Sequence, residues 1–194
     1  MTSICIGTIL CAQDRIITLS GKYLEVSITD DSGANIFFNV TKTKGRTRSL
    51  SIYKGDVFST KRQGETETLL YAQDVDFGYE LSVEDMRHYI YGQHDAREGY
   101  DATPSLLAGF AVGVGSALYL ESGFLPLTVP IIYSLGMQIP YIKIKEKTIS
   151  DLAYKGNPNY KYGYEKTARK KMIRSMLGSA VGVLVGITIY EVSN

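Results

Sequence analysis

A chain of 194 residues has room for one good-sized domain or two small ones. Its formal net charge of +1 excludes a general nucleic-acid binder, so no nucleic-acid partner is expected. The charge is unevenly placed: residues 14–101 hold 11 Lys+Arg against 15 Asp+Glu, and residues 102–194 hold 10 against 5. All ten of those later bases fall between Lys143 and Arg174, which points to different surroundings for the two halves.

Residues 1–12, MTSICIGTILCA, are apolar and end in a small residue before Gln13 and Asp14. They read as the remnant of a secretory signal cut after Ala12; the alternative is a plain first β-strand. Cleavage would remove both cysteines, Cys5 and Cys11, and with them any disulfide or thiol chemistry.

Residues 13–78 read as a small β domain. RIITL, YLEVSIT, NIFFNVT, RSLSIY and VFST are short apolar stretches joined by Gly/Asp/Ser/Lys turns. In the second of them Leu24, Val26 and Ile28 share one face, and Glu25, Ser27 and Thr29 the other. Period-two alternation at this spacing predicts about five antiparallel strands in a meander, curled into a barrel or sandwich. Lys42, Lys44, Arg46 and Arg48 make a basic hairpin tip, read as a solvated loop. Asn39-Val-Thr matches a glycosylation sequon by pattern alone.

Residues 79–101 read as a linking helix that ends in an interfacial arm. Ser82 is its predicted N-cap, with Glu84 and Asp85 in the first turn. Val83, Met86, Tyr89 and Ile90 then recur at helical spacing. His88 and His94 are six residues apart, which does not put them on one helical face for a metal. Glu84 and His88, four apart, read as a structural pair.

Residues 102–142 read as an apolar helical hairpin. Ala102–Leu120 is a run of 19 residues without a charge, Glu121 stands alone, and Ser122–Ile142 is a run of 21 more. At about 1.5 Å of rise per residue, each run roughly matches a hydrocarbon core of about 30 Å. Residues 143–171 form a basic arm, and 172–194 a glycine-zipper helix. Gly178, Gly182 and Gly186 fall at every fourth position, as do Gly109, Gly113 and Ala117. Small residues at this spacing let backbones approach closely where lipid offers no hydrophobic drive. The two ladders are expected to pack on each other or on copies in a neighbouring subunit. Gly113-Val-Gly115 lacks the preceding strand and third glycine of a dinucleotide loop.

One phrase is repeated. YIYGQHDAR (89–97) and YKYGYEKTAR (160–169) each spell Tyr-x-Tyr-Gly and end in Ala-Arg, and each precedes a glycine-rich apolar run. Tyr89, Tyr91, Arg97, Tyr160, Tyr162, Tyr164, Arg169, Lys170 and Lys171 are of the types that anchor at a membrane–water boundary, so both phrases read as interfacial arms. The positive-inside tendency and a cleaved leader place the β domain on opposite sides, and two or three spans both remain open.

In order, the apolar leader ending AQD, the phrases RIITLSGKYLEVSI, LSIYKGDVFS and YIYGQHDAREGY, the proline-containing apolar block and NPNYKYGYEKTARKK resemble uncharacterised envelope proteins of Bacteroidota-type bacteria. The resembling positions include Gly92, Asp95, Ala96 and Tyr100, then Asn157, Pro158, Tyr160, Gly163, Tyr164, Ala168 and Lys171. The resemblance implies export, membrane association and residence in the bacterial cell envelope with a periplasmic β domain. It implies no activity.

The expected fold is therefore α+β: a small antiparallel β-meander, a helix, and two to three apolar, transmembrane helices. The expected function is non-enzymatic, a structural or interaction module whose partners are the bilayer, further copies or other envelope proteins. No catalytic, cofactor-binding or metal-binding residue is expected. The competing readings are a membrane-associated enzyme using His88, His94 and Asp95, with Glu121 as a further acid–base candidate, and a surface protein binding anionic lipid through its basic arm.

Overall fold

A computed structural model describes residues 13–41, 46–120, 124–137, 139, 142–174 and 176–193. The expected leader, Lys42 and Lys44 of the basic tip, and Glu121 lie outside the described residues. The chain divides into two compact units, Met1–Met86 and Arg87–Asn194.

The first unit is an antiparallel sheet. Its strands are β1 (Asp14–Thr18), β2 (Tyr23–Asp30), β3 (Asn35–Thr41), β4 (Thr47–Tyr53), β5 (Val57–Lys61) and the two-residue β6 (Thr68–Leu69). The five expected stretches are all strands, and the order is β4-β3-β2-β1-β5-β6. This is not a plain meander, because β5 returns to pair with β1 instead of β4. Only Lys54–Asp56 lie between β4 and β5. In a flat sheet those strands would stand four spacings apart, about 19 Å, whereas Tyr53 to Val57 can span no more than about 14 Å. The sheet must therefore curl. Ile36 of β3 and Thr60 of β5 accordingly line one cavity of about 240 Å³.

The curl encloses Ile16, Val26, Ile36, Phe38 and Val57, with Leu24, Ile28, Val40, Ile52 and Leu70 packed against them. Each fully buried aliphatic or aromatic side chain contributes about 1.5–3 kcal/mol. The β1–β2 turn needs Gly21, whose φ of 73° is a left-handed conformation. Thr18 Oγ1 closes that turn by accepting the Lys22 N–H at 3.0 Å. Asp14 ties β2 to the turn after β5, accepting from Ile28 N at 2.8 Å and Gln63 N at 2.9 Å.

Helix α1 (Val83–Gly99) starts at the expected cap: Ser82 Oγ accepts from Asp85 N and donates to the Asp85 carboxylate. It is followed by α2 (Thr103–Tyr119), α3 (Val129–Gly136), α4 (Pro158–Ile173) and α5 (Met176–Ser193). Together α4 and α5 make a helical span, Pro158–Val192, of 35 residues that is long and apolar enough to cross a membrane. The pair α1 and α2 meets the same measure of length and apolarity, but is bent by 60° at its break.

The expected hairpin of two long helices over 102–142 is not what forms. Among the described residues of the second charge-free run there is a 3-10 turn at Leu125–Thr128 and then α3, eight residues long. Eight residues rise about 12 Å, well short of a hydrocarbon core. Its prolines explain this: Pro126 and Pro130 lack the N–H that a continuous helix would bond, so each sits in a first turn. Residues 143–157 form two 3-10 turns, Glu146–Thr148 and Leu152–Gly156, before Asn157 caps α4 through Asn159 N and Tyr160 N.

Candidate functional site

The sequence repeat and the glycine ladders resolve into one arrangement within the second unit. A Cβ placed on Gly92 of α1 would collide with the carbonyl oxygen of Tyr160, and one on Gly163 of α4 with the carbonyl oxygen of Tyr89. Each glycine of a Tyr-x-Tyr-Gly phrase thus receives the backbone of the first tyrosine of the other phrase. The second pair of helices repeats this geometry. A Cβ on Gly113 of α2 would meet Ser179 O, and one on Gly182 of α5 would meet Phe110 O. In both pairs the carbonyl met lies three residues before the partner glycine. Gly178 and Gly186 continue the second contact, against Leu106 O and against Ala117 Cβ with Val114 O.

Along α2–α5 the contacts advance together on both helices, and along α1–α4 Lys166 lies by Tyr89 and Lys171 by Arg97, so each pair runs parallel. Gly92 corresponds to Gly163, and Gly113 to Gly182: each crossing carries its own local pseudo-twofold, although α4–α5 is one 35-residue span and α1–α2 is bent by 60°. Between the matched glycines lie 21 residue steps in α1–α2 (92 to 113) and 19 in α4–α5 (163 to 182). The longer stretch is the one with the 60° bend.

The α1–α4 contact is polar and aromatic. Tyr160, Tyr164, Ala96 and Ala168 are fully buried there, with Tyr89 and Met172 nearly so. Asp95, also buried, accepts three hydrogen bonds on one oxygen: from Tyr160 OH at 2.6 Å, Ser150 N at 2.9 Å and Ser150 Oγ at 3.0 Å. Burial, and then the bond to Asp95, push the Tyr160 phenol far above its ordinary pKa, so it remains a donor. The pseudo-twofold maps Asp95 onto Lys166, and Lys166 meets the mapped tyrosine: its Nζ lies 5.4 Å from the Tyr89 ring centroid. Hydrogen bonding to Tyr89 raises the Lys166 pKa. The backbone is symmetric, and the charge on it is not. Tyr164 OH is 2.8 Å from Thr148 Oγ1, and Lys171 Nζ donates to Arg97 O at 2.6 Å and Tyr100 O at 2.8 Å.

The residues expected in interfacial arms divide between buried and exposed positions. Tyr89, Tyr160 and Tyr164 are turned inward, because the glycine beside each leaves a groove that only a neighbouring helix fills. Tyr91 stacks on Tyr154, with centroids 5.2 Å apart. Tyr162 and Lys170 are exposed, and Arg169 lies 4.0 Å from Glu165. Of the alternative acid–base candidates, His88 stands edge-on to the Tyr154 ring, His94 is half-buried in α1, and Asp95 is held as described. A mid-helix Gly92 hints at close packing from the sequence alone, but the roles of Gly163, Thr148, Ser150 and Lys166 were not read from it. The sequence signal for them was the spacing of the buried set Tyr160, Gly163, Tyr164, Thr167 and Ala168, which is one helical face.

The α2–α5 contact is apolar. In α2 only Gly109, Gly113 and Ala117 are buried. In α5 Gly178, Ser179, Gly182, Val183 and Gly186 are. The opposite faces carry large aliphatics in the open, among them Leu107 at 60%, Leu177 at 62% and Leu184 at 62% exposure. The chain matches no protein-family model, no curated protein and no solved structure.

Proposed function

We propose that this is a non-enzymatic membrane protein of the bacterial cell envelope, in which a β module is carried on a helical anchor. The observation that carries the reading is the inversion of α2 and α5: small residues inside, leucine, isoleucine and valine outside. A water-soluble helix hides its apolar stripe and exposes charge. An exposed aliphatic surface of this extent calls for lipid or a partner to cover it. The charges that bound the apolar segments are Asp101 and Glu121 around 102–120, and Arg174 and Glu191 around 175–190. Because the glycine ladders are used within the chain, association with envelope partners falls to the β module.

The test is fractionation of a tagged full-length chain with alkaline extraction and protease protection. The proposal expects the chain in the membrane pellet after extraction, with the β module on one side. A chain that stays soluble and monomeric without detergent overturns it.

A further inference from the structure

We propose that the free edge of β4 is a docking site for an extended acidic segment of a partner protein, which adds to the sheet as one more strand. This stands independently of the lipid reading. The sheet has two edges, and they differ. β6 is two residues long. β4 pairs with β3 over seven consecutive positions, from Asn35↔Tyr53 to Thr41↔Thr47, without a register shift. The β1–β5 and β2–β3 pairings both shift. β4 also contains no proline, and six of its seven residues are exposed. Long, regular edges template pairing with another chain and are normally blunted by a bulge, a proline or charge; β4 lacks a bulge and a proline, and its inward Arg48 disfavours every occupant that does not bring a carboxylate to it.

The backbone direction follows from one bond. Lys54 N donates to Ala34 O at 2.9 Å, which makes that residue pair a hydrogen-bonded one. Counting back in twos, Ile52, Leu50 and Arg48 bond to β3. The N–H and C=O groups of Thr47, Ser49, Ser51 and Tyr53 therefore point away from the sheet, and no hydrogen bond from another described residue reaches them. On the core side of the sheet Arg48, Leu50 and Ile52 stand opposite Val40, Phe38 and Ile36. Leu50 is 47% exposed there, so the core face runs out to the edge uncovered.

Charge selects the occupant. From Arg46 to Lys54 the sequence holds three bases, Arg46, Arg48 and Lys54, and no acid. A second copy would bring the same cationic strand, and like charges directly opposite are unfavourable. An antiparallel partner strand fits if it presents apolar side chains opposite Ile52 and Leu50 and a carboxylate opposite Arg48. The pattern is apolar, any, apolar, any, acidic. Backbone bonds supply affinity in such strand addition, and alternate side chains supply selectivity.

The experiment uses the full chain in detergent and a fluorescent, capped seven-residue peptide that alternates threonine with valine, valine and glutamate. A control peptide carries lysine for glutamate. The acidic peptide should bind, and the control should bind more weakly. Ser51→Pro removes one outward N–H while leaving the β3 ladder intact, and should weaken binding about tenfold. Arg48→Glu should reverse the preference between the two peptides; it serves as the independent variant if Ser51→Pro does not fold. Equal binding of both peptides, or undiminished binding by a folded Ser51→Pro chain, overturns the proposal. So does hydrogen-exchange protection of the Ser49 and Ser51 amides in the free monomer, which would mean that the chain covers its own edge. Cross-linking of β4 to β4 between copies would likewise overturn it in favour of self-pairing.

Discussion

The α1–α4 and α2–α5 contacts share a backbone geometry and differ in almost everything around it. At α1–α4 the space beside the glycines is filled by tyrosines, a buried carboxylate and threonine. At α2–α5 it is filled by glycine, alanine and valine, and the large side chains are turned outward. One close-approach motif therefore serves two environments. In the first, hydrogen bonds and ring contacts reward the approach; in the second, backbone packing alone must do so.

The sharpest way to break this comparison is to fill the crossing points. Gly182→Leu and Gly113→Leu place side chains against backbone that cannot give way, and each should cost about 3 kcal/mol or more in detergent unfolding. Gly115→Leu, on the same helix with nothing within 4 Å of its Cβ position, is the control and should stay within about 0.5 kcal/mol. Equal effects at Gly113 and Gly115 would refute the α2–α5 crossing.

A charge on the outer face separates the two environments. Leu184→Arg should reduce membrane insertion by about 2.5–3.5 kcal/mol in a translocation assay if lipid surrounds that residue. The same change at an exposed α4 position, Tyr162→Arg, should leave insertion unaltered.

Gly92→Ala and Gly163→Ala should each destabilise by about 1–3 kcal/mol, reversing the gain of about 1 kcal/mol that Gly→Ala normally brings within a helix. Thermal unfolding measures both, and similar losses at the two sites are what the pseudo-twofold requires. Tyr160→Phe removes one of three donors to Asp95, with an expected loss of about 1–2 kcal/mol.

The smallest effect is alkaline. Burial raises the pKa of Tyr100, Tyr154 and Tyr164 above the ordinary 10.0. A phenol with a raised folded-state pKa contributes stability that is complete below pH 10 and is lost as pH rises through the folded value. Ultraviolet titration should show these phenols ionising late, together with the loss of helical circular dichroism.

The strands were legible because alternation survives in a half-buried sheet: Leu24, Val26 and Ile28 all face the core. The return of β5 to β1 was not, because pairing partners leave no trace in the period of a strand. The apolar block after Glu121 was read as one long helix with Pro126 in its first turn and a kink at Pro130; instead Pro130 opens a separate short helix. The tyrosine phrases were read by residue type, which is the same in an interfacial anchor and in a packed helix pair. What residue type leaves out is the backbone that Gly92 and Gly163 receive, which shows only once the facing helix is known.

The two carbonyls held by Lys171 belong to residues 74 and 71 positions earlier in the chain. The end of α1 is thus completed by a group that leaves the ribosome long after α1 itself. Until then those oxygens must be served by water, and α1 waits, unfinished, for α4.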